Sequence, residues 1–99
     1  MSYRLLIEPL AKADIVAARD WYFSQQVGLD VEFRDQLDEV LQRIQSNPLA
    51  FAKTYRDVRQ AVLKRFPYVV SFVVRDDAVR VIAILHGHRD PALWKERSE

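Results

Sequence analysis

Ninety-nine residues, 49% of them apolar and 29% charged, suffice for one domain around one core and are too few for two. The absence of cysteine excludes a disulfide framework and a thiolate metal site, and two histidines separated by one glycine make a poor zinc site, so neither metal nor cofactor is expected. The net charge of +1 hides an asymmetry: residues 1–52 hold five basic and eight acidic side chains, residues 53–99 ten basic and six acidic.

No apolar run approaches the roughly 20 residues of a membrane span. The stretch Met1 to Leu10 lacks the charged and apolar regions of a signal peptide. A cytoplasmic protein is expected.

In chain order, Tyr3 to Ile7 carries Leu5, Leu6 and Ile7 and predicts a short strand stopped by Pro9. From Leu10 to Gln26 the apolar residues Ala11, Ile15, Ala18 and Tyr22 recur at helical spacing, and Gly28 supplies a stop. Trp21, Tyr22 and Phe23 are consecutive, so they cannot all face the core. Asp30 is placed to cap a second helix with Phe33, Leu37, Val40, Leu41 and Ile44 on one stripe and charges opposite, ending before Asn47-Pro48. The short connection predicts an antiparallel helical hairpin lying on a sheet. Leu49 to Tyr55 reads as a loop with Phe51 tucked beneath it, followed by a strand over Val58 to Leu63.

Tyr68 to Val74 and Ala78 to Leu85 are rich in β-branched residues and are interrupted only by Arg75, Asp76 and Asp77, which predicts a hairpin. Asp-Asp is a weaker turn than Asp-Gly, so a bulge is expected at that turn. In the second run Val79, Val81, Ala83 and Leu85 should face one way, with Arg80, Ile82 and Ile84 opposite, and both faces should be covered. Gly87 permits a tight turn after it, and Pro91 ends the ladder. Ala92 to Arg97 suits one helical turn, with Ser98 and Glu99 fraying. The fold class is therefore α+β: an N-terminal strand, an antiparallel helical hairpin, and three antiparallel strands completing a four-stranded curved sheet.

Two clusters carry chemistry. Lys53, Arg56, Arg59, Lys64 and Arg65 form the densest basic patch, suited to an anionic partner or equally to a sheet edge kept soluble by charge. His86, His88, Arg89, Asp90 and Trp94 follow the end of a buried strand. Two imidazoles titrating near neutrality beside a permanent cation could cleave RNA by acid–base chemistry, Arg89 stabilising the phosphate. The same residues also make a structural turn in which His86 satisfies backbone groups, Arg89 pairs with Asp90 and Trp94 covers the sheet.

The segments LKRFPY, before the hairpin, and HGHRDPALW, after it, resemble the C-terminal half of the RelE/ParE superfamily of bacterial type II toxins. Members often read L-x-K-R-F-P-Y into the hairpin and H-x-R-R-D-P-x-x-W out of it. The resemblance implies a toxin held in a hetero-oligomer by a cognate antitoxin with an acidic amphipathic tail. The basic cluster and the exposed aromatics make Arg59, Lys64 and Arg65 the expected antitoxin contacts, and these three with Arg89 and Trp94 the expected surface for antitoxin or target. In RelE-like ribosome-dependent messenger endoribonucleases, catalysis would fall to Arg89 with His86, His88 and Trp94. Where the most active of those relatives carry lysines and a further arginine, this chain has Gln60, Val62 and Val69, a departure that favours a ParE-like poison of DNA gyrase. A non-catalytic nucleic-acid-binding module is disfavoured by the modest net charge and the lack of a helix-turn-helix signature.

Overall fold

In a computed structural model that describes residues 2–98, the chain runs β1 (Arg4–Ile7), α1 (Pro9–Gln25), α2 (Leu29–Ser46), a 3-10 turn (Pro48–Ala50), β2 (Lys53–Tyr55), β3 (Val58–Val62), β4 (Tyr68–Arg75), β5 (Ala78–His86) and α3 (Ala92–Glu96). The expected α+β architecture is present, with one more strand than the sequence announces. The sheet is five-stranded in the order β1-β5-β4-β3-β2. β1 pairs parallel with β5, and the other neighbours pair antiparallel, so the sheet is mixed. The missed strand, β2, lies inside the expected loop: three residues are too few to show a period, and Lys53 and Thr54 are exposed. It folds back on β3 through Arg56 and Asp57, with Arg56 at φ 51°.

Pro9 opens α1, where its missing N–H leaves no gap and its fixed φ suits the first turn. Its small buried residues Ala11 and Ala18 bring the helix close to the sheet. Of the aromatic triplet, Tyr22 packs on the core while Trp21 and Phe23 stay exposed. Gly28 does more than stop α1: it sits at φ 96° as the N-cap residue of α2 and its carbonyl accepts from Glu32 N, the place the sequence reading gave to Asp30. Asp30 lies instead in the first turn, where its charge complements the helix dipole and meets Arg19 at 3.7 Å. All five expected stripe residues of α2 are buried.

The two helices cover one face of the sheet, over Ala61, Leu63, Phe66, Val70, Phe72, Val79, Val81 and Ile84. A second, smaller cluster fills the opposite face: Val58, Val73, Ile82, Ala83 and Leu85, roofed by Tyr55, Leu93 and Trp94. Both faces of β5 are thus covered, as its composition demands. Its alternation, however, changes phase midway. Ser71 pairs with Ala83 but Phe72 with Val81, which leaves Ile82 as one extra residue. A bulge turns two consecutive side chains the same way, so Ile82 and Ala83 share the second cluster while Val81 and Ile84 belong to the first. The bulge therefore lies within the strand, and the Asp76-Asp77 turn closes as two residues with Asp76 at φ 55°.

β1 covers only Ala78 to Val81 of β5, so the edge of β5 beyond the bulge lacks a strand partner on that side. Two side chains take its place. Asp14 of α1 accepts from Ile84 N at 2.9 Å, and Arg97, just after α3, donates to Ile82 O at 3.2 Å. The two also form a bidentate ion pair with side chains only 11% and 17% exposed. This pair ties α1, β5 and the C-terminal segment together. Ser98 is not frayed, since its hydroxyl and amide both donate to Lys95 O, and Glu99 lies outside the described residues.

Candidate functional site

The ends of β4 and β5 place the tail residues. Tyr68 and His86 are direct partners across the ladder, and their rings meet edge to face with centroids 5.6 Å apart. The chain then turns at Gly87, whose N–H donates to Pro67 O at 2.7 Å. Glycine is not required there: a β-carbon would meet Pro67 O at an ordinary 3.6 Å. Arg89 N closes the turn on His86 O, and His88 N donates to His86 Nδ1 at 3.1 Å, which leaves His86 Nε2 as the proton-bearing nitrogen if the ring is neutral. The rings of His86 and His88 lie 5.3 Å apart.

Asp90 does not pair with Arg89. Its carboxylate accepts from Ala92 N and its carbonyl from Leu93 N, so it starts α3. That helix lays Trp94 over the second cluster, where it meets Tyr55 edge to face at 5.9 Å, with Lys95 Nζ above both rings. Trp94 therefore supports the sheet as well as lining the site. Arg89 is exposed, and among the described residues no hydrogen bond or ion pair occupies its guanidinium.

Arg89, His86 and Trp94 open onto a groove of about 200 Å³ whose floor is Val69, Ser71, Leu85 and Gln60. Gln60 Nε2 donates to Ser71 Oγ at 3.0 Å, so the two polar side chains of the floor are joined by a hydrogen bond. Among the described residues, Arg89 is the one permanent cation lining the groove; His88 stands beside it and not in the lining. Val62 is 63% exposed on the neighbouring strand and also lies outside it.

The structure does not bring the basic patch to this groove. Arg59 donates through Nη1 to the carbonyls of Leu49 and Phe51, which fastens the 3-10 turn to β3. Lys64 and Arg65, in the β3–β4 connection, face α2 through Glu39 at 3.7 Å and Glu32 at 3.9 Å. These pairs are exposed and cheap to break.

Tyr68, opposite His86 in the register, packs against the first cluster beneath the helices and does not line the groove, so it reaches the site only through its contact with the His86 ring. Burial raises the pKa of Tyr68, with Arg89 pulling it down and Asp14 pushing it up. Burial also raises that of Tyr22, whose ring lies 5.9 Å from that of Tyr68. A tyrosine held above its ordinary value near 10 contributes stability that is complete below that pH and is lost as pH rises through the folded value. Urea unfolding between pH 8 and 11 should show this loss, and Tyr68→Phe should flatten it; an identical slope in that variant would mean that Tyr68 ionises equally in both states.

A model of the family described as "ParE toxin of type II toxin-antitoxin system, parDE" matches residues 5–91. The chain belongs to the ParE toxin family. A relative in Mycobacterium tuberculosis, Toxin ParE2, is 28% identical over 92 residues, which cover 92% of this chain and 88% of that protein. Among solved structures, one chain of the chromosomal ParDE system from P. aeruginosa superposes with a TM-score of 0.77 at 20% identity, over 86% of this chain and 96% of that one. An E. coli RelE toxin mutant in the free state gives 0.69 at 17% identity, over 99% and 96%. These two likenesses concern the fold that ParE and RelE toxins share. Arg97 lies beyond the family match, so the partner of Asp14 is supplied by a segment outside it.

Proposed function

We propose that this ParE-family toxin acts by poisoning DNA gyrase and is neutralised by a cognate antitoxin. The observation that carries the reading is the electrostatics of the groove. A phosphoryl-transfer site needs several cations around the developing charge, and losing a single such donor costs about a hundredfold in rate. Here, among the described residues, Arg89 is the one permanent cation over a floor of Val69, Leu85 and a hydrogen-bonded Gln60–Ser71 pair. The exposed Arg89 suits a protein contact, because an unoccupied guanidinium beside an aromatic shelf is the type of group that anchors interfaces. Lys64 and Arg65 suit the acidic antitoxin segment, whose carboxylates would replace Glu39 and Glu32.

The RelE reading keeps one observation in its favour, the grouping of His86, His88 and Arg89 at one strand end. Purified toxin separates the two. With gyrase and supercoiled DNA it should trap covalent cleavage complexes, leave message on programmed ribosomes intact, and retain a folded, antitoxin-binding state when Arg89→Ala is introduced. Ribosome-dependent message cleavage that falls by about a hundredfold in Arg89→Ala, without any effect on supercoiling, would overturn the gyrase assignment.

A further inference from the structure

We propose that β1 is a self-recognition edge, through which two copies of this chain pair antiparallel about a two-fold axis at Leu6. β1 ends the sheet, with β5 as its one strand neighbour. Arg4 N and Glu8 N donate inward to Asp77 O and Val81 O. Strand alternation then turns the amides and carbonyls of Tyr3, Leu5 and Ile7 outward. Those of Tyr3 are engaged with Gln45 of α2, and Pro9 has no amide, so Leu5 and Ile7 form a free edge two outward residues long.

The sequence across this edge is complementary to its own reverse. Antiparallel pairing centred on Leu6 sets Leu5 opposite Ile7 and Arg4 opposite Glu8, each twice. Leu5 and Ile7 then exchange four backbone hydrogen bonds. Leu6 faces Leu6, and each Arg4 faces a Glu8, at the closely approaching positions between them. Centring on Leu5 would require the Tyr3 groups held by Gln45, and centring on Ile7 would require an amide from Pro9. Side chains agree with the register: Leu6 is 44% exposed, Arg4 is exposed, and Glu8 keeps an extended backbone at φ −64°, ψ 152°. Leu10, 58% exposed, adds apolar surface beside the same edge. β1 is short, carries Arg4 and is stopped by Pro9, devices that blunt an edge against indiscriminate pairing, so the register centred on Leu6 is the one its free groups allow.

So short a contact predicts a weak dimer, with a dissociation constant of about 100 μM or tighter. Sedimentation of the purified chain over a concentration series should show it. Arg4→Glu should weaken association about tenfold by setting like charges opposite one another twice. Adding Glu8→Arg should restore it. In the double variant the intramolecular pairs Arg4–Asp77 and Glu8–Arg80 both remain broken, so recovery can only come across the two-fold. Because the chain has no cysteine, Leu6→Cys gives an independent readout: strand partners on the axis lie within disulfide reach, and that variant should cross-link at least about tenfold faster than Val16→Cys on α1. A monomer at every concentration up to about 500 μM, or equal cross-linking of the two cysteine variants, would overturn the proposal and leave the edge to strands of other proteins.

Discussion

Phe33→Ala should lower stability by about 3–5 kcal/mol, a large part of what a domain of this size possesses. Phe33 is fully buried and sits at the centre of an aromatic cluster, with ring centroids 5.4 Å from Tyr22, 5.4 Å from Phe66 and 5.1 Å from Tyr68. These neighbours come from α1, the β3–β4 connection and β4, three separately anchored elements, so the cavity cannot collapse by shifting one of them. The edge-to-face contacts with Phe66 and Tyr68 are lost along with the buried area. Phe23→Ala removes the same ring from an exposed position and should cost no more than about 0.5 kcal/mol. Urea unfolding midpoints of the two variants should differ widely; equal midpoints would mean that the core is not organised around α2.

The second large effect is expected at Asp14. Asp14→Ala strands Arg97 in a nearly closed site and leaves the amide of Ile84 without an acceptor. Removing one partner of a buried pair costs about 3–5 kcal/mol, and the remaining solvent access of these two side chains argues for the lower figure. At about 4–8 °C per kcal/mol, the thermal midpoint should fall by roughly 12–24 °C. Asp14→Asn keeps an acceptor for Ile84 N and should lose less. Amide exchange in α3 should accelerate together with that near Ile82, because Arg97 holds both. A shift of less than about 2 °C would show that the pair is a surface contact of little consequence.

How much of this was legible depends on whether a feature writes a pattern into neighbouring residues. The α2 stripe and the Tyr68–His86 hairpin did so, because long amphipathic or β-branched runs report their own geometry. β2 did not, being three residues held by pairing with β3. Nor did the bulge at Ile82: in a strand apolar on both faces, a one-residue change of phase alters no visible alternation. Asp14 and Arg97 looked like ordinary surface charges, since nothing local signals a partner 83 residues away. In the candidate site, the strand end and Arg89 were readable from the tail motif. The engagement of Arg59 with a loop was not, because a basic cluster in sequence says nothing about which carbonyls its members meet.

The long reach of that ion pair bears on the order in which the domain assembles. β1 pairs with Ala78 to Val81, more than 70 residues further along, and Asp14 meets Arg97 across 83 residues. Contacts this distant in sequence form late and slowly, because the intervening chain must be ordered first. The helical hairpin can form early from local contacts, whereas β5 and α3 are not held in place until Arg97 has reached Asp14 and Ile82. Assembly is therefore ordered: the surface carrying Arg89 and Trp94 takes its final shape only after the sequence-distant contacts of β5 and Arg97 have closed over the helical hairpin.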